Sequence, residues 1–138
     1  PLLAGSFVVP AHAADIDIIA KAKDILALWQ SRQQAPSPPV DCDRCFQLYE
    51  RIRILESKGR PIATEMQALL KNNGKDLSST QLKQLETASD HLDDLIAERK
   101  SLTYQYDTVL AQYKRLKDRP DDKKAREDLK YENPMRVR

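Results

Sequence analysis

Two stretches of this sequence repeat apolar residues at alternating spacings of three and four. Cys45, Leu48, Ile52, Leu55, Gly59, Ile62, Met66 and Leu69 form the first. In the second, Leu85, Leu92, Arg99, Tyr106 and Tyr113 hold the a positions of a heptad, and Ala88, Leu95, Leu102, Val109 and Leu116 the d positions. A helix carries residues three and four apart on one face, so each stretch predicts a long helix with a single apolar seam. Residues 73–77 between them leave room only for a reversal. The spacing therefore predicts an all-α, antiparallel, coiled-coil-like helical hairpin over residues 41–118.

Local signals support the same hairpin. Ser78 with Gln81 is a capping box, and Leu77 with Leu82 is a hydrophobic staple across the same cap. The second helix is expected to run from there to about Asp118, some 40 residues or about 60 Å. Asn72-Asn73-Gly74 ends the first, with glycine as the left-handed cap. Gly59-Arg60-Pro61 interrupts it without losing register, which predicts a kinked continuous helix, or two stacked ones, and no domain boundary. Charge points the same way. Glu86, Asp90, Asp93 and Asp94 would lie beside Lys58, Arg60 and Lys71, and Lys114, Arg115 and Lys117 near Asp41 and Asp43. Such surface pairs contribute about 0 to 1 kcal/mol each, so they set orientation more than stability.

Residues 14–35 predict a separate amphipathic helix. Ile18, Ile19, Ala22, Ile25, Leu26 and Trp29 share one face, opposite Asp17, Lys21, Asp24 and Arg32. A Pro-rich linker, residues 36–40, follows, because proline lacks the amide donor and excludes helix before it. The apolar face can lie along the hairpin as a third helix or clip into a groove of a neighbouring subunit. The second placement is the expected partner contact, with Trp29 as its anchor. Arg99 at a seam position suggests that part of the apolar surface is reserved for another chain. Residues 119–138 form a polar tail, in which 121–131 can add a helical turn or two.

Composition narrows the class. With 138 residues, one domain is the expectation, and 3 Gly are too few for a turn-rich β-sandwich or a glycine-loop nucleotide fold. A net charge of +2 with acids interleaved among bases makes no nucleic-acid stripe, despite Tyr104, Tyr106 and Tyr113 beside Lys114 and Arg115. Tyr106 and Tyr113 fit better as bulky seam residues. Residues 1–13 are nearly free of charge and end in Ala11-His12-Ala13, the small-x-small pattern of a signal-peptidase site. This segment reads as signal-peptide-like or as a retained apolar stretch, and with it the chain reads as periplasmic or secreted. Its apolar run falls short of the about 20 residues needed to span a bilayer.

Few residues carry chemistry. Cys42-Asp-Arg-Cys45 is expected to close as a disulfide at a helix start, with a bond to another chain or a redox pair as alternatives. A thioredoxin-like centre needs strands that the sequence lacks, haem attachment needs His where Phe46 stands, and zinc needs further soft ligands. His91 among Asp90, Asp93 and Asp94 offers only two ligands facing one way, so it reads as solvated helix surface. No cofactor or metal is expected. The class that remains is a non-enzymatic structural or adaptor subunit of a bacterial envelope assembly (a secretion, conjugation or motor complex), which binds other subunits or copies of itself. A free periplasmic chaperone or inhibitor is the alternative, and a thiol oxidoreductase a more distant one.

Overall fold

A computed structural model describes residues 13–32, 34–124 and 126. The described residues form three α-helices and no strand: α1 (Ala13–Gln30), α2 (Asp43–Leu69) and α3 (Ser79–Asp118). The signal-peptide reading of residues 1–13 lies outside the described residues except for Ala13, and so does most of the tail.

The α3 helix starts where its cap predicts. The Ser78 backbone N–H donates to Gln81 Oε1 at 2.9 Å, and the Gln81 N–H donates to Ser78 Oγ at 3.1 Å. Two otherwise orphaned donors are thus satisfied reciprocally. The α2 helix runs unbroken through Pro61, its only internal proline. Beyond Leu69 the chain reverses through a left-handed turn in which Asn72 has φ 59°, Asn73 φ 60° and Gly74 φ 73°. Asparagine is the side chain that best tolerates this region after glycine, so the reversal is built from the residues that fit it most cheaply. The α1 helix stops at Gln30, short of the expected 35. Its last carbonyls are taken up locally, with Ser31 Oγ donating to Leu28 O and Arg32 Nη1 to Trp29 O at 2.8 Å.

The fold divides into two compact units. The first contains α1 with Lys58–Ile96, and the second the described residues of Gln33–Ser57 and Ala97–Arg138. Each has its own stretch of the seam. In the first unit Met66, Leu85, Leu92 and Leu95 are buried, with Ile62 and Leu69 half-buried. In the second, Leu48, Ile52, Leu55, Leu102, Tyr106 and Val109 are buried, with Tyr113 and Leu116 half-buried. Each Leu or Ile removed from water there contributes about 1.5 to 3 kcal/mol.

Candidate partner-binding groove

Three contacts place α1 in the first unit. A Cβ on Gly59 would stand 2.6 Å from Trp29 Cζ2 and 2.8 Å from Cζ3, nearer than real side chains tolerate. Trp29 therefore lies flat on the bare backbone of α2, 3% exposed. The Arg32 guanidinium lies over the ring, 4.7 Å from its centroid. At the opposite end of α1, Ile19 packs within 3.2 Å of where a Gly74 side chain would begin. Lys21 Nζ donates to Asp90 on α3 at 2.9 Å, which raises the lysine pKa. Asp93 and Glu86 add smaller attractions to the same lysine. At least part of the acidic cluster of early α3 is thus answered by α1, whereas Lys58, Arg60 and Lys71 of α2 were the expected partners.

This packing corrects the expected use of the α1 face. Ala22, Ile25, Leu26 and Trp29 are buried and Ile18 and Ile19 half-buried, all within the chain. The physical reason is Gly59: without a side chain there, the hairpin presents a flat seat that takes the indole, and a partner cannot reach the same atoms.

Among the described residues, once one flank of the hairpin carries α1, the other remains open. There an open groove of about 410 Å³ is floored by Ile62 and Ala88. Glu65 of α2 forms one rim, and Thr80, Lys83, Gln84, Thr87 and His91 of α3 form the other. All six rim residues are exposed. Among the described residues neither Glu65 nor Lys83 has an ion-pair partner. His91, expected as solvated helix surface, is exposed and turns out to line this groove. No set of three His, Cys, Asp or Glu residues able to hold a metal ion occurs among the described residues. The groove was not foreseen, because which flank stays open depends on where α1 docks.

In the second unit Cys42 and Cys45 form the expected disulfide, and both residues are buried. Cys42 caps α2: its carbonyl accepts from the Phe46 N–H at 3.0 Å, and its sulfur lies 3.1 Å from the Cys45 N–H. Two tyrosines of α3 hold the segment that precedes α2. The Tyr106 hydroxyl donates to Pro36 O at 2.6 Å, and its ring meets Tyr49 with centroids 6.0 Å apart. Burial, reinforced by Tyr49 and Asp107, raises the Tyr106 pKa. Tyr113 donates to Asp41, a bond that raises the phenol pKa and lowers that of the carboxyl. Lys117 lies 5.6 Å from the Tyr113 ring centroid and adds its charge near Asp41, as the charge pattern predicted. Arg99 does not wait for another chain: its guanidinium lies 3.8 Å from Glu56 on α2.

Compared with known protein families, curated proteins and solved structures, the chain matches none. No helix among the described residues is long and apolar enough to cross a membrane.

Proposed function

We propose that this protein is a non-enzymatic helical subunit of a bacterial envelope assembly, and that the open flank of its hairpin takes a helix of a neighbouring subunit. One observation carries the reading: among the described residues, α1 occupies one groove of the α2–α3 pair and nothing covers the other, around Ile62 and Ala88. A helix laid there would complete a four-helix arrangement, with exposed polar rims to fix its register. Export is supported by the disulfide, since such bonds persist in oxidising compartments, and by the small-x-small pattern at residues 11–13. The redox reading loses ground because both sulfurs are buried, whereas exchange needs an accessible sulfur.

The test fills the groove. Thr87 is exposed on the rim, so Thr87→Trp should leave helicity unchanged while blocking the groove. The native complex is purified from its source and its stoichiometric subunits are identified by mass spectrometry. Their loss with Thr87→Trp is the expected result, and retention at full stoichiometry refutes the groove as the docking site.

A further inference from the structure

We infer that the neighbouring helix is α1 of a second copy of this chain, presented by its outward face. The inference rests on the groove reading above and names its occupant. Ile16, Ala20 and Ala27 share the exposed face of α1, opposite Trp29. Asp17 and Asp24 line one edge of that face, and Lys23 and Gln30 the other, all exposed. Lys23 also reaches Asn73 at 3.4 Å in its own chain.

The groove has matching features. Its floor, Ile62 and Ala88, is apolar and suits the small apolar side chains of Ala20 and Ala27. Its rims differ in sign, Lys83 on α3 and Glu65 on α2. Turning a helix end for end in a groove exchanges its edges, so one of the two directions sets Asp17 and Asp24 toward Lys83 and Lys23 toward Glu65. The opposite direction juxtaposes like charges. Electrostatics thus selects a single orientation.

The contact is heterologous: groove and α1 face are different surfaces of each copy. Binding through one leaves the other free, so copies add head to tail until a ring closes or a chain grows. One helix face buries less than the about 800 Å² per partner of stable interfaces, so association is weak for two isolated copies.

Light scattering on the purified full chain, from micromolar to millimolar concentration, tests this. The expected mass rises past two copies. Ala20→Arg, at an exposed helical position, abolishes the rise with helicity unchanged. Lys83→Glu weakens association about five-fold, the order expected for reversing an exposed pair, and so does Asp24→Lys. An equimolar mixture of these two variants recovers it. A constant monomer mass, growth that stops at two copies, or indifference to Ala20→Arg overturns the inference. If any of these occurs while Thr87→Trp still strips the native complex of its subunits, self-docking is wrong and the groove reading stands. If Thr87→Trp is also silent, both fall.

Discussion

Gly59→Ala should destabilise this protein, although the same exchange in an ordinary helix stabilises it. Glycine inside a helix costs about 0.5 to 1 kcal/mol relative to alanine through lost backbone entropy. At Gly59 the added Cβ would lie 2.6 and 2.8 Å from two indole carbons of a ring that is buried in the unit and has the Arg32 guanidinium over it. The ring cannot simply lift away, and overpacking a filled site costs about 1 to 3 kcal/mol. The second effect exceeds the first, leaving a net loss of about 0.5 to 2 kcal/mol. At roughly 2.1 cal/mol/K of unfolding entropy per residue, that lowers the melting temperature of a chain this long by about 2 to 7 °C. Trp29 is the only tryptophan, so its fluorescence reports this site without interference. Thermal melts by circular dichroism, with emission followed in parallel, should show a lower midpoint and a red-shifted spectrum. Trp29→Ala costs more by itself, about 3 to 5 kcal/mol, and in its background Gly59→Ala should become neutral or stabilising. A Gly59→Ala protein that melts above the wild type with unchanged emission would refute the seat.

Two further outcomes concern the second unit. The Tyr113–Asp41 bond favours a neutral phenol and an ionised carboxyl. Its contribution from Asp41 is present above the ordinary carboxylate range and lost as pH falls through the lowered value. The contribution from Tyr113 is present below about pH 10 and lost as pH rises through the raised one. NMR titration should find Asp41 below and Tyr113 above their usual values, with Tyr113→Phe raising Asp41; an Asp41 titration unmoved by that change contradicts the bond. Reduction of the disulfide, which closes a loop of about four residues, should cost about 2 kcal/mol and lower the melting temperature by about 6 °C. Equal midpoints with and without reductant would show that it does not brace α2.

The hairpin was legible because its signals are local or periodic. The Leu85 to Leu116 heptad repeats every two turns, the Ser78–Gln81 box and the Asn72-Asn73-Gly74 reversal each lie within a few residues, and all three recur in the structure. What escaped were pairings set by docking. In the sequence Gly59 reads as an interruption beside Pro61; its role depends on Trp29, thirty residues earlier and on another helix. Arg99 looked stranded at a seam position because its partner Glu56 lies on the facing helix. The open groove is one step further removed, since it exists only after α1 has chosen its flank. The amphipathic pattern of α1 marks an apolar contact face, but amphipathicity does not say whose surface it meets.

Cross-linking between chains tests the central claim most directly, namely that α1 belongs to its own hairpin and offers its outward face to the next. Ala20→Cys and Thr87→Cys, each in a separate chain, are mixed and joined with a short bismaleimide. The native cysteines are bonded to each other and buried, so they do not compete. The predicted product joins position 20 of one copy to position 87 of another, in excess over 20–20 and 87–87 adducts. Adducts formed in random proportion, or none above a Gln67→Cys control on the exposed surface of α2, would contradict it.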